Sequence, residues 1–132
     1  MENTLEKLKQ AAAGLLFMSE SDYPLETLWF TPEKPEAPVQ ENLLKHLGLP
    51  ETTPVETQEL PYFFRNHTRD LPEYGDEEKA RTRKFRELES LLKKEIPDVT
   101  VYRIGQTQVD AYIIGKLANG SIGGLQTRQI ET

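Results

Sequence analysis

The segment of residues 109–114 constrains the fold more than any other part of this sequence. In an extended strand, Val109, Ala111 and Ile113 fall on one face. Tyr112 and Ile114 fall on the opposite face, so both faces are largely apolar. A strand with one face in water alternates apolar with polar residues instead. The pattern therefore predicts a central strand that other elements cover on both sides.

Further strands are predicted around this one. Residues 100–104 form a short run of β-branched and aromatic side chains, and a third strand is expected over residues 122–131. Asn119-Gly120 precedes that strand, and this dipeptide is a strong signal for a tight hairpin. Residues 25–30 and 55–60 are shorter strand candidates. We therefore expect a sheet in which neighbouring strands are mainly antiparallel.

The covering layers are predicted from helical periodicity. Leu5, Leu8, Ala12 and Leu15 lie on one helical stripe, which Leu16 widens, so a helix is expected over about residues 4–18. A second helix is expected over residues 76–94, where acids begin and bases end the segment, as the helix dipole favours. A short helix is expected over residues 39–47. Together these elements predict an α+β fold, a three-layer α/β/α sandwich in one domain spanning residues 1–132.

Composition excludes several classes of chemistry. The 132 residues include no cysteine, which excludes a disulfide scaffold, Cys-ligated zinc and a thiol nucleophile. The formal charge is −6, which argues against direct nucleic-acid binding. No apolar run reaches the roughly 18 residues that a membrane helix needs, and the N-terminus does not resemble a signal peptide. We expect a cytoplasmic protein.

The negative charge is unevenly distributed. Residues 18–42 carry six acids and one lysine, and residues 73–78 carry four acids. Residues 79–94 carry seven bases and two acids. A solvated helix face explains the basic stretch better than nucleic-acid binding does, because acids lie directly upstream and no aromatic stacking platform interleaves with the basic residues.

The sequence offers little catalytic chemistry. His46 and His67 have no metal-ligand spacing, and a surface or capping histidine is the default interpretation for both. Asp98 and Asp110 could be imagined as an acid pair, although Asp110 in a strand is more often a satisfied carboxylate. No nucleophile motif is present. We therefore expect a protein that is not an enzyme and has no cofactor of its own.

Two segments are less ordinary. The turn at residues 17–24 places Glu20 and Asp22 among small hydroxyl side chains, and simple helix termination is the competing explanation. The last strand runs nearly to Thr132, which would carry a carboxylate and a hydroxyl on one residue. Such oxygens could approach a cation or a cluster of bases, although chains must also simply end.

Several segments resemble the nuclease A inhibitor family. The most specific is GLLFMSES at residues 14–21; weaker matches lie in VYRIG at 101–105, DAYIIG at 110–115 and the ending Glu131-Thr132. The likeness covers roughly residues 5–24, 76–92 and 100–132, and is thin over 31–72. It implies an α/β/α inhibitor that binds a metal-dependent, sugar-non-specific nuclease, with 1:1 stoichiometry expected, and occludes its active site.

The resemblance also implies roles for particular residues. Glu20 would engage basic groups of the nuclease, with Asp22 beside it in the same turn. Thr132 would reach the nuclease's divalent metal ion, such as Mg²⁺, in trans. A third contact in the family is a tryptophan, where this chain has Glu73 followed by Tyr74. That departure leaves open a changed specificity, a lost inhibition, or a non-catalytic interaction module with another partner.

Overall fold

The protein is built on a five-stranded antiparallel sheet with the strand order β3-β7-β6-β5-β4. The structure is a computed structural model that describes residues 2–131, with the side chain of Glu2 left out. Its strands are β1 (Leu16–Met18), β2 (Asp22–Pro24), β3 (Glu26–Phe30), β4 (Glu56–Gln58), β5 (Thr100–Ile104), β6 (Gln108–Lys116) and β7 (Ile122–Ile130). Its helices are α1 (Glu2–Ala12), α2 (Val39–Leu47), α3 (Leu60–Phe63), α4 (Arg65–Thr68) and α5 (Asp76–Glu95).

Strand β6 occupies the centre of the sheet, as its two apolar faces predicted. It pairs antiparallel with β5 on one side and β7 on the other. Ile113 and Ile114 point to opposite faces and both are fully buried. The hairpin from β6 to β7 closes at the predicted turn, where Gly120 adopts a positive φ of 88°. The central strand and its hairpin are therefore confirmed.

Helices cover the two faces of the sheet and give the predicted three layers. Leu8 of α1 and Phe85 of α5 pack with Ile113 in the larger core. Leu43 of α2 packs with Ile114 in the smaller core on the opposite face. Helix α1 is tied to α5 by the Thr4 hydroxyl, which donates to Glu95 Oε1 at 3.0 Å. The structure confirms the α+β class and a sheet that lies between helical layers.

The first helix is shorter than the periodicity predicted, and this changes the following turn. Helix α1 ends at Ala12, and Gly14 then adopts a left-handed φ of 78°, which a helix cannot continue through. Residues 16–18 form strand β1, so the extension of the helix to residue 18 was wrong. Leu16 is 42% exposed instead of widening the helical stripe, and Phe17 is buried in its place.

No helix in residues 2–131 is long and apolar enough to cross a membrane.

Candidate protein-binding site

A two-stranded hairpin presents the acidic turn. Strands β1 and β2 pair antiparallel, with Met18 opposite Asp22 at the end of the ladder. Residues 19–21 make the turn, in which the Ser19 amide and hydroxyl both donate to the Ser21 carbonyl. Glu20 and Asp22 are exposed. The predicted exposure of this turn is confirmed, but the turn joins two strands and does not terminate a helix.

Ser19 fastens the tip of the hairpin to the end of β7. Its hydroxyl oxygen accepts a hydrogen bond from the Ile130 amide at 3.0 Å, across 111 residues of sequence. A second bond lies lower on the hairpin, where the Thr127 hydroxyl donates to the Pro24 carbonyl at 2.9 Å. The acidic turn and the end of the last strand, which sequence analysis considered separately, therefore lie side by side.

The end of β7 is fixed from the sheet as well. The Glu131 amide donates to the Thr107 carbonyl at 2.8 Å, and the Glu131 carboxylate pairs with Arg103. Arg103 is only 9% exposed and also pairs with Glu56. Thr132, the residue predicted to reach a partner's metal, lies outside the described residues. The residue directly before it is held by two independent contacts.

His67 supports the end of β1 that leads into the turn. The Met18 amide donates to His67 Nε2 at 2.9 Å, and Phe17 stacks on the imidazole with ring centres 4.5 Å apart. Burial lowers the pKa of His67 to about 4, with a further lowering by Arg81 and an opposing effect of Asp22. The imidazole is therefore neutral at pH 7. Of the two predicted roles for His67, the surface position was wrong, because His67 lies in α4 and is 6% exposed.

A shallow groove continues from the hairpin along the sheet. Arg128 donates from Nε to Asp110 Oδ1 at 3.0 Å, and its guanidinium carbon lies 5.6 Å from the Tyr23 ring centre. The hydrogen bond to Asp110 is the main cause that raises the pKa of Arg128. The groove encloses about 250 Å³ and is lined by Tyr23, Pro24, Glu26, Asp110, Gln126, Thr127 and Arg128. Asp98 lies beyond the opposite end of β5, so the imagined acid pair does not form.

Glu73 and Tyr74 precede α5 at the same end of the molecule. Glu73 is exposed and Tyr74 is half-buried, with its amide bonded to the Leu71 carbonyl at 3.0 Å. Helix α5 packs against α4, and the charge of Arg81 on α5 lowers the pKa of His67 on α4. Arg81 lies about 8 Å along the helix axis from Asp76, the first residue of α5. No hydrogen bond or ion pair within residues 2–131 joins Glu73 or Tyr74 to the hairpin itself.

The residues that hold this site were mostly missed by sequence reasoning. Arg103 left a usable signal, because strand alternation places it on the same face as buried Val101. A charged residue at an inward position needs partners, so a buried ion pair could have been predicted. Ser19 left no such signal, since its partner is an amide at the far end of the sequence.

The described residues do not include a group of three or more His, Asp or Glu side chains that could hold a metal ion. What the site presents is an acidic turn, an adjacent strand end and a mixed-charge groove, all on fixed elements. Together with the fold, these features define an α+β domain with a pre-formed acidic surface.

The family comparison agrees with this description. The model of the family described as Nuclease A inhibitor-like protein matches residues 2–132, and the chain belongs to this family. The resemblance noted from the GLLFMSES segment is thereby confirmed and extends across the middle of the chain, where the sequence likeness was thin. No curated protein matches the chain.

Proposed function

We propose that this protein inhibits a metal-dependent, sugar-non-specific nuclease by inserting its acidic hairpin into the active site, as a 1:1 complex. The observation that carries the proposal is the bond from the Ile130 amide to the Ser19 hydroxyl. It fixes the Glu20 turn against the end of β7, so that two acidic features can enter one cleft together. Family membership supports the inhibitory role.

The chemistry of the turn suits such a target. A nuclease active site holds a phosphodiester between a metal ion and basic side chains. A carboxylate offers the same kind of hard, anionic oxygen, and it forms charge-assisted hydrogen bonds with arginine or lysine. We assign this role to Glu20, with Asp22 beside it. The terminal oxygens of Thr132 are proposed to reach the nuclease's own divalent metal ion, such as Mg²⁺.

Rigidity strengthens this mode of binding. Ordering a loop on association costs free energy, and a loop that is already ordered avoids that cost. Here the hairpin is held by Ser19 and Thr127 on one side and by His67 on the other. Occlusion requires no chemistry from the inhibitor, so no catalytic group or cofactor of its own is needed.

Charge distribution supports fast association. The acidic stretches at residues 18–42 and 73–78 contain the hairpin and the segment before α5. A basic cleft that attracts nucleic acid also attracts this surface, and the association rate should fall as salt increases. Glu73 and Tyr74 are proposed as a third contact, at the family's aromatic position.

The proposal is tested by titrating the purified protein into a metal-dependent non-specific nuclease and following DNA cleavage. Glu20→Gln should weaken inhibition at least tenfold, because it removes a charge that pairs with basic groups. Glu51→Gln is the matched control, since Glu51 is an exposed acid beside α2, on the other face of the sheet. Equal inhibition by the two variants would remove Glu20 from the interface, and no inhibition by the unaltered protein would sink the proposal.

The role of Thr132 requires a separate arm of the same titration. Deleting Thr132, or adding residues after it, should weaken inhibition strongly while the melting temperature stays within a few degrees. A chain extended past Thr132 that inhibits as well as the original would refute the metal contact. The hairpin contact would then stand on the Glu20 result alone.

A further inference from the structure

His67 is built into the hairpin support in an unusual way for a buried histidine. Its Nε2 atom accepts the Met18 amide at 2.9 Å, so the proton of the neutral ring is on Nδ1. Nδ1 is buried and has no hydrogen-bond partner in the described structure. No contact in the described surroundings therefore uses the Nδ1 proton. The specific contact of the ring is the one that Nε2 makes with the Met18 amide.

The packing around the ring fixes its orientation. The imidazole lies between Phe17 of β1 and Phe85 of α5, with ring centres 4.5 and 4.7 Å away. Phe17 is stacked in turn on Phe63 of α3, also at 4.5 Å. The ring cannot turn away without disturbing this cluster, so Nε2 stays directed at the Met18 amide. Whether the contact is a hydrogen bond therefore depends on whether Nε2 carries a proton.

We propose that His67 is a positioning residue for the inhibitory turn, and that protonating its ring releases the end of β1 at Met18, beside the turn, and weakens the nuclease complex. This inference rests on the proposed function. A protonated Nε2 would direct a hydrogen at the Met18 amide, which is itself a donor, so the bond would be replaced by repulsion between two donors. Met18 lies opposite Asp22 and directly precedes the turn that carries Glu20.

Burial and the charged groups near the ring allow its protonation only at acidic pH. Arg81 on α5 disfavours the protonated form, and Asp22 on β2 favours it. Burial acts in the same direction as Arg81 and is the larger effect, which keeps the pKa low. A protonated ring would attract the Asp22 carboxylate. Protonation would therefore also affect an acid of the proposed binding surface.

The first test uses the free, full-length protein. The amide resonance of Met18 should titrate together with the His67 ring, with a common midpoint near pH 4. In His67→Gln, whose side-chain oxygen takes the place of Nε2 as an acceptor without titrating, the Met18 amide should keep its neutral-pH position through that range. A Met18 midpoint that differs from the ring midpoint, or that persists unchanged in His67→Gln, overturns the inference.

The second test measures equilibrium binding to the nuclease from pH 7 down to pH 4. The ratio of dissociation constants, unaltered protein over His67→Gln, cancels the titration of the nuclease's own groups. This ratio should rise about twofold by pH 4, where about half of the rings are protonated, and a ratio that is constant with pH overturns the inference.

A third variant separates hydrogen bonding from packing. His67→Phe keeps a ring between Phe17 and Phe85 but removes the acceptor, so at pH 7 it should bind roughly tenfold more weakly than His67→Gln. Equal binding by the two variants means that the Met18 contact has no positioning role.

If His67→Phe does not fold, the pH dependence of binding by the unaltered protein relative to His67→Gln still tests the inference. If no nuclease is bound at any pH, the proposed function fails, while the Met18 titration still tests the positioning of the turn.

Discussion

At the scale of single residues, Ser19 connects parts of the molecule that would otherwise be independent. Its hydroxyl donates to the Ser21 carbonyl and accepts from the Ile130 amide. A hydroxyl can do both at once, and few side chains of this size can. The shape of the turn and its alignment with β7 therefore depend on one oxygen atom.

Ser19→Ala should loosen both contacts. We expect a loss of about 1–2 kcal/mol in the free energy of unfolding, because a polar group at Ile130 loses its partner. Inhibition should weaken by roughly tenfold as the turn samples other conformations. Urea denaturation and the nuclease titration measure the two effects, and faster hydrogen exchange at the Ile130 amide would locate them.

The control for this substitution is Ser90→Ala, since Ser90 is exposed on α5. Ser19→Thr keeps the hydroxyl and should retain most of the inhibition. If Ser19→Ala inhibits as well as Ser90→Ala does, the two hydrogen bonds of the Ser19 hydroxyl do not position Glu20 for inhibition.

At the residue scale, the exposure of the acidic turn could be predicted from the sequence. Glu20 and Asp22 are acids among small hydroxyls in a turn, and that pattern is visible in the sequence itself. The partners of Ser19 and His67 were not predicted, because both are backbone amides far away in sequence. Hydrogen bonds of that kind leave no trace in composition or periodicity.

At the scale of elements, the sequence predicted the sheet better than the hairpin. Strand β5 and helix α2 begin and end where they were predicted. Strand β1 was predicted as the last turn of α1, because the apolar spacing of residues 5–16 fits a helix throughout. What decides against it is Gly14 in a left-handed conformation and the burial of Phe17 in an aromatic cluster, and only the second requires the tertiary structure.

The end of β7 is the element on which the proposed metal contact depends, and Arg103 tests it. Arg103→Met keeps most of the apolar length of the side chain but removes the pairs with Glu56 and Glu131. Both carboxylates are at least partly exposed and can be hydrated, so stability should change by no more than about 2 kcal/mol. The end of the strand should nevertheless become more mobile, and inhibition should weaken several-fold.

The measurement pairs hydrogen exchange at the Glu131 amide with the nuclease titration. Lys94→Met is the control, because it removes an exposed positive charge near the end of α5 without touching β7. Faster exchange at Glu131 with unchanged inhibition would show that the fixed strand end is not part of the inhibitory surface.

At the scale of the whole molecule, the site is where separate parts of the fold meet. The β1–β2 hairpin, α4, the first turns of α5 and the end of β7 all reach the same end of the sheet. Antiparallel pairing of β6 and β7 brings the last residues of the sheet back to this end, which the predicted hairpin already required.

His67 also links this end of the molecule to overall stability. Its pKa is lowered from 6.5 in the unfolded chain to about 4 in the fold, so the unfolded state binds the proton more readily. The stabilisation is therefore complete above about pH 6.5 and is lost progressively as the pH falls toward 4. Between pH 7 and pH 4.5 the unaltered protein should lose about 2 kcal/mol more unfolding free energy than His67→Gln does. Urea denaturation of both proteins at the two pH values measures this difference, and the carboxylates, which are common to both, cancel in it. An equal loss in the two proteins would mean that His67 is not held neutral by the fold.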